Sequence, residues 1–321
     1  MPVRLALLVL GLTLSGCRAV AGVGLGLFYD TADLPEAQVR RDVPYLPEPA
    51  PAQAGGDPKH RLNLFLPAPG SRAQPTVVFV HGGNWDSGDR DFRVGRRDLY
   101  NNIGRYLAGH GIPTAVVSYR FASVPGGAAV DWRAQAADVA AAMAFVEREQ
   151  GTWGSRGVVG MGHSAGSHLV LQAALNPAIR DAAGLSPVCG LVPASGAALD
   201  LTAEGAFVGD TYDFFSSRFA PDRVVREAPP ATPAEWQRDV SVVPFVRAGA
   251  PPMLVLLGTG ESAGLQRQSR LLDEARQAAG VPGALVSVPA RSHALVIPTL
   301  SRDDRVAGPA VVEFVKGLTC R

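Results

Sequence analysis

Short apolar runs alternate along the chain with longer segments in which apolar residues recur every three or four positions. The short runs are typical of strands, and the longer period is typical of amphipathic helices. Most runs resemble strands buried on both faces, but 60–68 alternates polar and apolar residues like a half-buried edge strand. The predicted strands are 60–68, 75–83, 113–120, 158–161, 190–197, 251–259 and 283–290, and the predicted helices are 96–111, 132–149, 167–175, 264–280 and 305–318.

This order of elements predicts an α/β domain at 59–321, with a mostly parallel central sheet and helices on both faces. Residues 198–251 interrupt the alternation, because periodicity is weak there and seven aromatic residues fall within the segment. We interpret 198–251 as a cap-like excursion. Its aromatic residues either shape an apolar substrate pocket or anchor the excursion to the core, and the sequence leaves both interpretations open.

The first residues follow a different pattern. Arg4 precedes an apolar run, 5–14, that is too short to span a bilayer and is typical of an export signal. Leu14-Ser15-Gly16-Cys17 resembles the bacterial lipobox, which implies a lipoprotein signal peptide at 1–16 and a lipid on Cys17. It also implies a location in the bacterial cell envelope, on the periplasmic or the surface side of a membrane. An ordinary signal peptide with a chance cysteine is the alternative.

Residues 17–58 are rich in proline and alanine and lack a sustained period. This composition favours an extended tether that includes an early edge element. Such a tether would give the domain at 59–321 reach from a membrane.

Composition excludes several classes of function. The formal net charge is +1 and 18% of residues are charged, so nothing favours a nucleic-acid partner. No Cys/His cluster has metal-ligand spacing and no phosphate-binding glycine loop is present, so we expect no metal and no other cofactor. With Cys17 lipidated, Cys189 and Cys320 remain, either as a disulfide or as buried thiols. The oligomeric state is not indicated.

The strongest chemical signal is Gly162-His163-Ser164-Ala165-Gly166, between a predicted strand and a predicted helix. A serine hydroxyl is a weak nucleophile, so an enzyme that uses one exposes it beside a base and beside donors for the developing oxyanion. A sharp strand-to-helix turn does this, and Gly162 and Gly166 lack the side chains that would collide in it. The pattern therefore predicts Ser164 as a nucleophile, in preference to a plain glycine-rich turn.

A second signal, His81-Gly82-Gly83-Asn84-Trp85, follows the predicted strand at 75–83. Backbone N–H groups bind an oxyanion only where the chain approaches a ligand closely, which favours glycine. The segment therefore predicts part of an oxyanion hole, and Trp85 is a candidate to line the same site.

These segments resemble the α/β-hydrolase superfamily and, within it, the HGG-bearing esterases of the carboxylesterase, isoprenylcysteine methylesterase-like and kynurenine formamidase-like groups. The segments "VVFVHGGNW", "VVSYR", the serine turn and "PPMLVLLGTGE" match in order and spacing, so the resemblance covers about Lys59 to the C-terminus. It implies the α/β-hydrolase fold. It also implies that the N–H groups of Gly83, Asn84 and Ala165 form the oxyanion hole.

In this superfamily an acid and then a histidine follow the serine along the chain. His293 is the histidine that follows the last predicted strand, so we expect it to be the base. Related enzymes carry HGTxD where this chain has "LLGTGES", so Leu257 replaces a histidine and Glu261 takes the place of the acid. Asp200 is the alternative acid, since some members carry the acid at that point. Asp273, within a predicted helix, is expected at the surface.

The sequence therefore predicts a serine hydrolase that cleaves small-molecule or lipid carboxylic esters through a Ser-His-Glu triad and an acyl-enzyme. Two alternatives remain open. The same triad serves the hydrolysis of arylformamides or other amides. A non-catalytic envelope lipoprotein could retain the fold as a binding module, although the presence of Ser164, His293 and the glycines argues against it.

Overall fold

The computed structural model describes residues 31–47, 59–95, 97–122, 130–208, 211–220, 232–290 and 292–320. Within these ranges the core is an eight-stranded sheet. Its strands are β1 (Val39–Pro44), β2 (Arg61–Phe65), β3 (Thr76–Val80), β4 (Thr114–Val117), β5 (Val158–His163), β6 (Gly190–Ala194), β7 (Met253–Gly258) and β8 (Gly283–Val288).

The strands lie in the order β1-β2-β4-β3-β5-β6-β7-β8. The pairs β1/β2 and β2/β4 are antiparallel, and every other neighbouring pair is parallel. The prediction of a mostly parallel sheet is confirmed. From β3 the chain returns to one side as β4 and to the other as β5, so a crevice opens between the carboxyl ends of β3 and β5, where ligands bind in such sheets.

Helices cover both faces of the sheet. Val78 and Val80 of β3 belong to one core cluster, with α2 and α3, while Val77 and Phe79 belong to the other, with α1 and α9. The alternation follows from the two-residue period of a strand. The helices are α1 (Leu99–Gly109), α2 (Trp132–Glu149), α3 (Ala165–Leu175), α4 (Pro177–Ala182), α5 (Thr211–Phe219), α6 (Glu235–Val240), α7 (Ala263–Ala278), α8 (Val296–Thr299) and α9 (Ala307–Gly317).

The prediction that 60–68 is a half-buried edge strand is wrong. The edge strand is β1, and it pairs along the outer side of β2. Asn63, a polar position of this alternating segment, is fully buried and donates to Asp91 at 2.8 Å and to Asn101 at 3.1 Å. The sheet therefore includes an edge element from the 17–58 segment and begins before residue 59.

Two further expectations change. The excursion 198–251 contains α5, α6 and a 3₁₀ turn, Val243–Phe245, that its weak periodicity did not indicate. Asp273 is buried and not at the surface, because it accepts from Arg276 at 2.7 Å and from Gln277 at 2.6 Å.

A covalent link ties the C-terminal segment after α9 to the amino end of β6. Cys189 and Cys320 form a disulfide, which resolves the choice that the sequence left open. The sulfur atoms pack against Gly157, just before β5, where a Cβ would overlap the Sγ of Cys189. The signal segment 1–16 and Cys17 lie outside the described residues. No helix within the described ranges is both long and apolar enough to cross a membrane.

Candidate active site

Ser164 stands at a strained turn between β5 and α3, which we call the serine turn (162–166). It has φ 55° and ψ −123°, a combination that residues with a side chain rarely adopt. Its backbone N–H donates to the carbonyl oxygen of Ala194 in β6 at 3.0 Å. The turn therefore fixes Ser164 at the carboxyl end of β5, at the N-terminus of α3.

The two glycines of the serine turn are required by backbone packing. A Cβ on Gly162 would lie 2.6 Å from the backbone nitrogen of Ser167, and it would overlap the carbonyl group of Gly166. A Cβ on Gly166 would lie 2.5 Å from the carbonyl oxygen of His81. Main-chain atoms cannot rotate aside as a long side chain can, so glycine is the residue that fits both positions.

The segment 81–87, which we call the HGG loop, follows β3 and lies beside the serine turn. A Cβ on Gly82 would lie 3.1 Å from the Cβ of Ser164, so the two loops touch at this glycine. Gly83 has φ 125°, Asn84 φ 53° and Trp85 φ 63°. The loop folds back on itself, because the N–H groups of Asp86 and Ser87 both donate to the carbonyl oxygen of Gly83.

The three predicted oxyanion donors are backbone N–H groups of the HGG loop and the serine turn. Among the described residues, the backbone N–H groups of Gly83, Asn84 and Ala165 have no hydrogen-bond acceptor. Ala165 is the first residue of α3, where the N–H groups of a helix lack intrahelical partners. Anions are stabilised at such a helix end.

His293 and Glu261 lie together. The Nδ1 of His293 is 3.5 Å from the Oε2 of Glu261, whose side chain is fully buried, while the imidazole is 28% exposed. The imidazole also lies beside the serine turn, with its centroid 4.7 Å from that of His163. The structure therefore brings together the predicted base, the predicted acid and the residue next to Ser164.

Two donors fix the other carboxylate oxygen of Glu261. Its Oε1 accepts from the N–H of Gly258 at 3.0 Å and from the hydroxyl of Ser195, which follows β6. A Cβ on Gly258 would overlap this oxygen, so glycine gives the longer glutamate room. Leu257, predicted to replace the histidine of the HGTxD pattern, is buried in β7. The acid loop (258–261) thus accommodates both the leucine and the glutamate.

Asp200, the alternative acid, is engaged elsewhere. Its Oδ1 accepts from the N–H and hydroxyl of Thr202, both at 2.8 Å, and from the N–H of Ala203 at 3.1 Å. The carboxylate therefore stabilises its own turn after β6. Glu261 is the carboxylate that the structure brings to His293.

His163 has a structural role that the sequence analysis did not predict. Burial lowers the pKa of His163 well below its usual value, and the neighbouring His293 lowers it further. The ring is therefore neutral, and its Nε2 lies 3.2 Å from the carbonyl oxygen of His293, to which it can donate. This contact ties the serine turn to the histidine loop. In the sequence, His163 stands at the first unspecified position of G-x-S-x-G, which does not indicate a role.

A cavity of about 610 Å³ lies between Trp85 and the excursion. Trp132 and Trp236 contribute aromatic walls, while Asp239 and Arg133, which form an ion pair, are charged residues of the lining. The lining of this cavity thus combines aromatic and charged side chains, and the sequence-based interpretation of an apolar substrate pocket stays a prediction. In the described ranges no group of His, Cys, Asp or Glu is arranged to hold a metal ion.

A family model and several curated proteins resemble part of this chain. Residues 62–189 match the BD-FAE family, a span that includes the HGG loop and the serine turn and ends before Glu261 and His293. A probable isoprenylcysteine alpha-carbonyl methylesterase of Oryza sativa subsp. japonica is 32% identical over 132 residues, or 40% of this chain and 29% of that protein. The isoprenylcysteine alpha-carbonyl methylesterase of Arabidopsis thaliana is 30% identical over 46% of this chain and 30% of that protein. The chain thus aligns with about a third of the length of these relatives.

Solved structures resemble nearly the whole chain. Esterase B from Lactobacillus rhamnosis has a TM-score of 0.66 and 20% identity, covering 98% of this chain and 95% of that one. Esterase 2 of Thermogutta terrifontis, in its form phosphonylated by sarin, has a TM-score of 0.62 and 24% identity, covering 80% and 88%. At these identities the likeness is one of fold, and together with the strand order it shows the α/β-hydrolase fold.

Proposed function

We propose that this protein hydrolyses carboxylic esters, with Ser164 as nucleophile, His293 as base and Glu261 as the group that orients the imidazole. The observation that carries the proposal is the Glu261–His293 pair, which lies against the serine turn through the contact between the rings of His293 and His163. Acyl transfer by a serine requires a nucleophile, a base beside it and a carboxylate that orients the base.

The proposed reaction has two halves. The Oγ of Ser164 attacks the ester carbonyl while the Nε2 of His293 takes the hydroxyl proton, because Nδ1 faces Glu261. The N–H groups of Gly83, Asn84 and Ala165 stabilise the oxyanion. The imidazolium then returns the proton to the departing alcohol, which leaves an acyl-serine. Water, deprotonated by the same imidazole, attacks the acyl-serine. The bond between the acyl carbon and Oγ then breaks, the imidazolium returns the proton to Oγ, and the acid is released.

The similar proteins support an ester as the substrate. The curated relatives are named methylesterases and the structural neighbours are esterases. We therefore propose small-molecule or lipid esters as the substrate class.

The test is hydrolysis of p-nitrophenyl esters of increasing acyl length by the purified full chain and by Ser164→Ala. Turnover is expected to fall by a factor on the order of 10⁴ or more in the variant, because the acyl-enzyme cannot form. A fluorophosphonate probe should label the wild-type protein and not Ser164→Ala. The matched control is Ser186→Ala, an exposed serine after α4, which should retain both activity and labelling.

An unlabelled, inactive wild-type protein would contradict the proposal and favour the non-catalytic binding module. Faster turnover of an aryl formamide than of every ester would place the same triad in amide hydrolysis. Circular dichroism of every variant should accompany the assays, because it separates a loss of activity from a loss of the fold.

We also propose export and lipid anchoring through Cys17, on the basis of the first 17 residues. Cells that express the chain and are fed an alkyne-tagged fatty acid should incorporate the label into the wild type. Cys17→Ser should remove the label and release the protein from the membrane fraction. Labelling that survives in Cys17→Ser would contradict the proposed anchor.

A further inference from the structure

Two consecutive residues of the HGG loop hold a backbone conformation that side chains disfavour. Asn84 and Trp85 both have a positive φ, of 53° and 63°. Such a conformation persists only where the surrounding structure fixes it. Asn84 supplies one of the proposed oxyanion donors, so whatever holds Trp85 also controls where that donor points.

The indole of Trp85 is anchored to α3. Its Nε1–H donates to the Nδ1 of His168 at 3.3 Å, and the two rings meet edge to face with centroids 5.6 Å apart. Trp85 is 2% exposed and His168 is fully buried. A buried hydrogen bond of this kind is costly to break, because each partner would be left unsatisfied away from water.

The two contacts of His168 require one protonation state. Nδ1 must accept from Trp85, and Nε2 must donate to the carbonyl oxygen of Val240 at 2.9 Å. Only the neutral ring with its hydrogen on Nε2 satisfies both. Burial lowers the pKa of His168 to about 4, so the ring is neutral at ordinary pH.

Val240 ends α6, so His168 also reaches the excursion. The same carbonyl oxygen accepts from Gln172 of α3 at 2.8 Å. One imidazole thus bridges the HGG loop and the excursion, and it stands on the helix that begins beside Ser164.

We infer that His168 is a positioning residue, which holds Trp85 and thereby the oxyanion donor of Asn84 in register with Ser164 and links their placement to the excursion. The inference rests on the proposed function. His168 does not touch the reacting atoms. Its effect is therefore expected in the transition state, where the oxyanion forms, more than in ground-state binding.

The test compares three variants of the full chain. His168→Phe keeps a flat ring and removes both hydrogen bonds, and it should lower kcat about 10-fold to 100-fold with little change in KM, since losing an oxyanion donor outright costs on the order of 100-fold to 1,000-fold. His168→Gln, whose amide can accept from Trp85 and donate to Val240, should recover kcat to within about fivefold of wild type. Trp85→Phe removes the same bond from the other side.

A spectroscopic readout separates positioning from loss of packing. The chain has four tryptophans, and Trp85→Phe assigns the indole N–H signal of Trp85 in a ¹H–¹⁵N spectrum of the labelled protein. That signal should move in His168→Phe and return towards its wild-type position in His168→Gln. The matched control is Trp153→Phe, which removes an indole hydrogen bond to Thr76 of 3.0 Å at the start of β3. The control should leave kcat unchanged.

The double variant His168→Phe/Trp85→Phe decides the matter. If His168 acts through Trp85, the double variant should be no slower than the slower single variant. Fully multiplicative losses, a wild-type kcat in His168→Phe, or an unmoved indole signal would each overturn the inference. If the wild-type chain proves inactive, the proposed function fails, and the indole signal alone still tests whether His168 holds Trp85.

Discussion

The serine side of the site is held by backbone packing, whereas the acid side is held by hydrogen bonds to a side chain. In the serine turn, a Cβ on Gly162 or Gly166 would run into main-chain atoms. In the acid loop, Glu261 is held by the hydroxyl of Ser195 and the N–H of Gly258. A change on the serine side meets a steric barrier, while a change on the acid side weakens a bond. We therefore expect substitutions on the serine side to reduce activity abruptly and substitutions on the acid side to reduce it by degrees.

The largest effect should come from Gly166→Ala. The new methyl group would press on the carbonyl oxygens of Val80 and His81, and a shift of about 1 Å at a reacting group costs on the order of 100-fold in rate. We expect kcat/KM to fall at least about 100-fold and the melting temperature to drop. Gly151→Ala is the control, since its Cβ would meet nothing within 4 Å. Wild-type activity and stability in Gly166→Ala would remove the distinction between the two sides.

Glu261→Gln should have the next largest effect, because it keeps the shape of the side chain and removes the charge that stabilises the imidazolium. We expect kcat to fall about 100-fold to 10⁴-fold, measured with a p-nitrophenyl ester. Asp200→Asn is the matched control and should keep kcat within about threefold, since Asp200 stabilises its own turn. A larger loss in Asp200→Asn than in Glu261→Gln would make Asp200 the acid.

Ser195→Ala should have a smaller effect. It leaves the Oε1 of Glu261 with the N–H of Gly258 as its remaining donor. The orientation of the carboxylate towards His293 is then less fixed. We expect kcat to fall about 3-fold to 20-fold, and stability to fall by about 1 to 3 kcal/mol as a hydrogen bond to a charged group is lost. Ser287→Ala, at an exposed position of β8, should change neither. If Ser195→Ala matched Gly166→Ala in severity, the acid side would be as rigid as the serine side.

The smallest effect on rate should come from the disulfide at the opposite end of the sheet. Replacing Cys189 and Cys320 with alanine opens a long loop, because the sequence separation of the two cysteines is 131. The replacement should lower the free energy of unfolding by about 2 to 5 kcal/mol. Because the bond lies at the amino ends of the strands, kcat should stay within about twofold of wild type. Chemical denaturation and an ester assay on the same samples measure both. A large loss of kcat in the folded variant would show that the two ends of the sheet are coupled.

The serine side could be predicted from the sequence because its constraints are local. Gly162, Gly166 and Gly83 are needed where backbones approach closely, and that need appears as glycine in a short segment. The order of strands and helices was predictable for a similar reason, since each strand buried on both faces is a continuous apolar run. Ser164 and the two loops could therefore be identified from the sequence as candidates.

The acid side could not be predicted from local pattern. Glu261 was identified only through a resemblance, and its partner Ser195 lies 66 residues earlier in the chain. The role of His168 depends on Trp85, 83 residues away. An edge element was expected within 17–58, but its pairing with β2 and the burial of Asn63 were missed, because an alternating pattern does not reveal whether another strand covers the edge. The helices of the excursion were missed because α5 has 9 residues and α6 has 6, which is too short for a helical period to stand out.

The disulfide has a topological consequence. It closes residues 189–320 into a covalent ring that contains Glu261 and His293, while Ser164 lies on the chain before the ring. The excursion 198–251, which lies within this ring, is the longest connection between neighbouring strands of the sheet. A protease that cut the excursion once would open the ring without dividing the molecule. The serine and the histidine would then lie on two polypeptide fragments that the disulfide holds together until a reductant separates them.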